Sequence, residues 1–259
     1  MAFETRCLEK IIIEMITPRL IGRLDIKNKN LIKPINLEGL RIVGDPNKFA
    51  KKYYEEGIDE IILMDTVATL YSRNYLSKII TNITKEIFIP ITVGGGVRNL
   101  EDVNILLNAG ADKIAINTAA VKNPNLIKEI ADQIGSQSLV ISIDAKKRAK
   151  NFWEVYTNNG RDRTEVDVVD WIKKAQDLGA GEILLTSIDQ EGTRKGFDYD
   201  LINLIYKNTN VPLILSGGFG DLSHIENLKR ISKIDAIAIA DAIHYDRFSI
   251  KTIKETLNG

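Results

Sequence analysis

One cysteine, Cys7, and two histidines, His224 and His244, are all the thiol and imidazole side chains that the 259-residue sequence holds. A lone thiol excludes an internal disulfide and suits a reducing compartment. Neither histidine has a partner at metal-ligand spacing, so no protein metal site is expected, and nothing calls for a cofactor. Net charge is missing too, because Lys+Arg and Asp+Glu both number 35. That balance leaves no electrostatic footprint for nucleic acid or for an anionic membrane. No apolar run approaches the roughly 20 residues of a membrane span. The stretch CLEKIIIEMI near the N-terminus is interrupted by charges and lacks a small-residue cleavage site, which argues against a signal peptide. The expectation is a soluble, cytoplasmic protein.

What is present is alternation. Short aliphatic or β-branched runs occur at 20–25, 59–65, 88–93, 112–117, 138–144, 181–187, 211–216 and 235–239. Each is nearly continuous in apolar residues, as parallel strands buried on both faces require. Amphipathic stretches at 46–56, 99–109, 123–134, 166–178 and 221–230 read as helices. Asp45-Pro46 supplies an N-cap and a first-turn proline, and Gly57 and Gly179 stand where helices end. Trp153 and Trp171 read as packing residues. Eight strand–helix units predict an α/β fold, a closed (β/α)8 TIM barrel, over an open doubly wound sheet. No GxGxxG follows the first strand, as a dinucleotide-binding sheet would have it.

Internal repetition supports closure. KKYYEEGIDEIILMD (51–65) resembles KKAQDLGAGEILLTSID (173–189), with Gly57 and Glu60 matching Gly179 and Glu182. Both matches are 122 positions apart (179 − 57 and 182 − 60). An offset of nearly half the chain implies two half-barrels, about 15–137 and 138–259, with residues 1–14 outside a single barrel domain.

Active sites of such barrels lie at the C-terminal ends of the strands. There the third and seventh strands run into glycine, in PITVGGGVRN (90–99) and PLILSGGFGD (212–221). Glycine turns relieve crowding, and they also expose N–H groups able to hold phosphate. Two of them, related by the repeat, favour a substrate with a phosphate at each end. Asp25 and Asp144 end the first and fifth strands and are expected to face each other across the mouth. Two carboxylates there can serve as general acid and general base if their environments separate their pKa values. At the opposite end, Arg19, Glu60, Lys113 and Glu182 stand at or before the starts of strands 1, 2, 4 and 6. Two positive and two negative groups there are either solvated rim residues or a paired ring around the barrel axis.

RLIGRLDIK, GIDEIILMD, ITVGGGV, GADKIAINTAAV, GSQSLVISIDAKK, GAGEILLTSIDQEGT and SGGFG together resemble the HisF family, the cyclase subunits of imidazole glycerol phosphate synthase. The resemblance spans about residues 18 to 257 and implies a (β/α)8 barrel. A HisH-type glutaminase would dock at its N-terminal face and send ammonia through the barrel. The cyclase joins ammonia to the bisphosphate PRFAR, releasing imidazole glycerol phosphate and AICAR in histidine biosynthesis. The resemblance assigns acid–base chemistry to Asp25 and Asp144. It puts Gly96, Asn117 and Thr118 at the glycerol-side phosphate, and Gly192, Gly218, Ala240 and Asp241 at the ribosyl-side phosphate. Lys33 matches a mobile lysine in the loop after strand 1. Arg19, Glu60, Lys113 and Glu182 match a charged gate, and Asp112 an acidic residue facing the glutaminase.

The sequence also departs from that family. NKNLIKP follows Lys27 where an Asp-Gly pair and then Lys-Gly are usual, and Glu191 stands where aspartate is usual. Asp241 replaces a small residue. It is expected to point away, to pair with a cation such as Arg194 or Lys195, or to mark a half-site that no longer takes phosphate. Similar departures occur in HisF-like paralogues of surface-polysaccharide gene sets, which implies an alternative role as an ammonia-channelling subunit for sugar amidation. A third reading is a non-catalytic barrel that activates a glutaminase. The related isomerase family HisA is a poorer match to SIDAKK and LLTSIDQEGT.

Overall fold

The computed structural model describes residues 17–67 and 76–259. The stretch CLEKIIIEMI and the proposed extension 1–14 lie outside the described residues. Eight parallel strands form the barrel: β1 (Arg19–Lys27), β4 (Glu60–Asp65), β5 (Ile91–Gly94), β6 (Lys113–Ile116), β7 (Leu139–Ala149), β10 (Glu182–Ser187), β11 (Leu213–Ser216) and β12 (Ala236–Ile239). They pair in that order, and β12 returns to β1 with Ile21 opposite Ala238, so the sheet is closed.

Closure explains the continuous apolar runs. Inside the barrel Ile21, Ile62, Ala115, Val140, Leu184 and Ile214 pack together, while alternate residues such as Leu20, Ile61 and Ile183 face the helices. A one-residue register slip would exchange those two layers. Helix α1 (Pro46–Glu55) starts as its sequence dictates: the Asp45 side chain accepts from Asn47 N, and Pro46 fills the first turn. The N-cap of α6 (Val168–Asp177) is Asp167, which accepts from Val169 N and Asp170 N. Both helices are followed by a glycine at positive φ, Gly57 and Gly179. Between them run α2 (Leu76–Ile83), α3 (Leu100–Asn108), the short α4 (Thr118–Lys122) and α5 (Asn125–Ile134). The second half continues with α7 (Tyr199–Tyr206), α8 (Ser223–Ile231), α9 (Asp241–His244) and α10 (Ile250–Asn258).

Two strands outrun the barrel. β1 continues into an antiparallel ribbon with β2 (Asn30–Ile35) and β3 (Glu38–Gly44). β7 does the same with β8 (Phe152–Thr157) and β9 (Asp162–Asp167). Matching elements keep the spacing of the repeat, as in α3 and α8, which start at 100 and 223, and α4 and α9, which start at 118 and 241.

Candidate active site

The two glycine stretches answer to crowding first. A Cβ on Gly95 would strike the Asp65 carbonyl, and one on Gly217 would lie 2.9 Å from the Ser187 carbonyl. Asp65 and Ser187 end β4 and β10, so each strand end passes against the end of its barrel neighbour. With no side chain there, the glycines line two cavities at the C-terminal mouth. The larger, about 320 Å³, contains Gly95, Gly96, Asn117, Thr118 and Asp144. The smaller, about 20 Å³, contains Lys33, Gly192, Gly217, Gly218, Ala240 and Asp241. The residues expected at the glycerol-side phosphate thus fall in one cavity, and those expected at the ribosyl-side phosphate in the other.

Asp144 lies on β7 and is 6% exposed. Its Oδ2 accepts from Asn117 Nδ2 at 3.1 Å. Burial, reinforced by the nearby Asp25 and Glu191 charges, outweighs Arg23 and Asn117 and pushes its pKa up to about 6. Asp25 is fully buried on β1 and contributes to neither cavity wall. Its Oδ1 accepts from Arg23 Nε at 3.0 Å, while its Oδ2 has no hydrogen-bond partner within the protein. Of the two carboxylates Asp144 lines the larger cavity, and the Asp25 charge acts on it.

Arg23 is the residue that sequence reasoning missed. It borders both cavities, and its Nη1 donates to Thr186 Oγ1 at 2.9 Å and Ser216 Oγ at 3.1 Å. Burial works against its charge, but Asp25, Glu191 and Asp144 hold the guanidinium firmly protonated. The signal was present: a cation inside the apolar run LIGRLD can be buried only where partners wait for it.

The smaller cavity is filled by the protein's own ion pairs. Lys33 lies in strand β2 of the ribbon rather than in a loop, is buried, and pairs with Glu191. Asn36 N also donates to the Glu191 carbonyl at 2.8 Å, which holds the ribbon down over this half of the mouth. Asp241 pairs with Arg194, as its sequence context allowed, and also with Arg247, but not with Lys195. On the open side Thr118 Oγ1 accepts from Asn158 N at 3.0 Å.

At the N-terminal end Arg19, Glu60, Lys113 and Glu182 close a ring. Arg19 Nη1 lies 2.7 Å from Glu60 Oε2, and Arg19 also pairs with Glu182. Lys113 Nζ lies 3.2 Å from Glu60 and 2.9 Å from Glu182. Thr92 Oγ1 adds a hydrogen bond of 2.6 Å to Glu60. Asp112 is exposed beside this ring, and its Oδ2 accepts from Ile91 N at 2.8 Å. Asp59 and Asp235 do the same for Leu20 N and Leu213 N, so an aspartate before a strand tethers the neighbouring strand's start.

The remaining polar groups have local roles. His244 is buried with its Nδ1 2.6 Å from Tyr53 Oη, and burial lowers its pKa to about 3. His224 Nδ1 accepts from Gly220 N and Asp221 N. Trp153 packs in the core and donates to Asp198 Oδ2 at 2.9 Å, and Trp171 is likewise buried. Among the described residues, no three His, Cys, Asp or Glu side chains gather as a metal site needs. No described helix is long and apolar enough to cross a membrane.

A closed eightfold barrel with paired cavities at the strand C-termini, and in the larger of them a buried carboxylate whose pKa is raised by burial, defines a (β/α)8-barrel enzyme. The chain belongs to the family described as histidine biosynthesis protein, whose profile matches residues 19–249. It is 58% identical to the imidazole glycerol phosphate synthase subunit HisF of Legionella pneumophila over 208 residues, 80% of this chain and 98% of that protein. The HisF subunit of Pyrococcus furiosus is 46% identical over 240 residues, 93% of this chain and 95% of its own length. That of Dictyoglomus thermophilum is 44% identical over 243 residues, 94% of this chain and 96% of its own.

Proposed function

We propose that this chain is the cyclase subunit of imidazole glycerol phosphate synthase. It takes ammonia from a glutaminase partner and converts PRFAR to imidazole glycerol phosphate and AICAR in the cytoplasm. Identity of 44–58% over 80–94% of this chain to proteins named as that subunit carries the reading. The site's chemistry agrees with it. Glycine amides of the larger cavity suit one phosphate, and Asp144, with its pKa near 6, can exchange protons close to neutral pH. Asp25 is the second acid–base group, its Oδ2 left without a hydrogen-bond partner in the protein. The ring of Arg19, Glu60, Lys113 and Glu182 is the gate through which ammonia enters. The glutaminase docks outside it, near Asp112.

Purified protein supplied with ammonium salt and PRFAR, without glutamine, should release imidazole glycerol phosphate and AICAR. Absence of turnover at saturating ammonia would overturn the reading. One observation favours a second acceptor, a sugar in surface-polysaccharide synthesis: the ribosyl-side cavity is only about 20 Å³ and full of ion pairs. Ammonia-dependent amidation of a phosphorylated or nucleotide-linked sugar, with PRFAR inert, is the outcome that selects it. A barrel that only activates the glutaminase would do neither.

A further inference from the structure

The two halves of the mouth repeat in backbone but not in charge. Thr118 and Asp241, 123 positions apart (241 − 118), open the short helices α4 and α9 that follow β6 and β12. One offers a neutral hydroxyl, the other a carboxylate. Asp241 is 8% exposed and borders the smaller cavity. Its Oδ1 lies 2.7 Å from Arg194 Nε and 3.0 Å from Arg247 Nε, and its Oδ2 accepts from Arg194 Nη2 at 3.0 Å. That two-pronged contact with Arg194 is the geometry by which a guanidinium holds a carboxylate or a phosphate. The Arg194 and Arg247 side chains are 44% and 37% exposed, so a ligand arriving from solvent can reach them.

We propose that Asp241 is a specificity-determining residue. Its carboxylate occupies the second anion subsite as a resident counter-ion, and a distal phosphate binds there only by taking Arg194 and Arg247 from it. The inference rests on the proposed function for the second phosphate of the substrate. Charge shows why the exchange matters. Arg194, Arg247 and Asp241 sum to +1, and Lys33 and Glu191 cancel, so an arriving phosphate dianion leaves the cluster at −1. Without the carboxylate the same arrival would end at zero. A substrate with phosphate only at the end held by the larger cavity meets no such competitor. Asp241 therefore ranks substrates by the charge of their distal end.

The test follows the backbone amides of Gly96 and Gly218, one in each cavity, by NMR as inorganic phosphate is added to the full chain at constant ionic strength. In the unaltered protein Gly96 should titrate, with Gly218 responding at least about tenfold more weakly. Asp241→Asn should strengthen the response at Gly218 by about tenfold or more and leave Gly96 unchanged. Adding Arg194→Gln to that variant should abolish the gain. Asp241→Ser gives the same reading if the asparagine disturbs the fold. Equal phosphate affinity at Gly218 with and without the carboxylate, or no response there in either variant, overturns the proposal. Phosphate alone is the probe, so this outcome is separate from turnover of PRFAR, whose failure would remove the cyclase reading instead.

Discussion

Arg23 decides what its carboxylate neighbours can do. A fully buried guanidinium bonded to Asp25 gives that carboxylate a direct cationic partner, while Asp144 is left in a poorly solvated place without a direct ion pair. That asymmetry gives two otherwise similar aspartates different surroundings. Asp25→Asn and Asp144→Asn should each lower ammonia-dependent turnover by about 10²–10⁴-fold, the usual worth of a positioned acid or base. A steady-state assay giving near-normal kcat would remove that residue from the mechanism. Asp144 carries a second consequence. Its folded pKa, about 6, lies above the ordinary 3.8, so the folded chain binds more protons than the unfolded chain between those values. Stability is therefore lost as pH rises from 3.8 to 6, and the loss is complete above 6. Asp144→Asn should then stabilise the fold at pH 7.5 by an amount on the order of 1–3 kcal/mol. The gain should vanish below pH 4. Urea denaturation at the two pH values checks it, and equal stability at pH 7.5 would mean that Asp144 is not strained by burial.

Elements show how far the sequence could be read. The eight barrel strands, the helices begun by Asp45 and Asp167, and the half-length repeat follow from apolar runs, caps and glycines that depend only on local chain chemistry. The ribbons β2–β3 and β8–β9 did not, because their segments NKNLIKPINLEGLRIVG and NFWEVYTNNGRDRTEVD break alternation with charges and turn residues. Lys33, which the family resemblance places in a loop, lies in β2, and its pairing with Glu191, 158 positions away, has no local signature. The glycines were legible as special, though not the carbonyls pressed against them. The same substitution at two of them separates the causes. Gly57→Ala, at φ +86 with nothing within 4 Å, should cost only the left-handed penalty of about 1–2 kcal/mol. Gly95→Ala, at φ +95 and against the Asp65 carbonyl, should cost about 1–3 kcal/mol more through overpacking. Equal losses by urea denaturation would show that β4 yields without cost.

The barrel as a whole is open at one end and tied at the other. Arg19, Glu60, Lys113 and Glu182 join β1, β4, β6 and β10, half of the barrel strands, across its floor. Glu60 and Glu182 are only 2% and 5% exposed, so their charges depend on the two cations. In Lys113→Met two buried carboxylates would share Arg19 alone. Breaking a buried pair costs about 3–5 kcal/mol, and partial exposure of Lys113 brings the expectation to roughly 3, a fall in Tm of about 6–12 °C for a chain of this size. The chemistry is at the opposite end, so ammonium-driven turnover should stay within about twofold, as for distant and independent sites. Glutamine-driven turnover with the glutaminase partner is different, because in the proposed function ammonia then crosses the floor. Shortfall or leak there should change the ratio of product formed to glutamine hydrolysed. If that ratio is unchanged while Tm falls, the ring is a structural tie and ammonia enters elsewhere. If ammonium-driven turnover collapses as well, the floor and the mouth are mechanically coupled, and the ring cannot be treated as a separate gate.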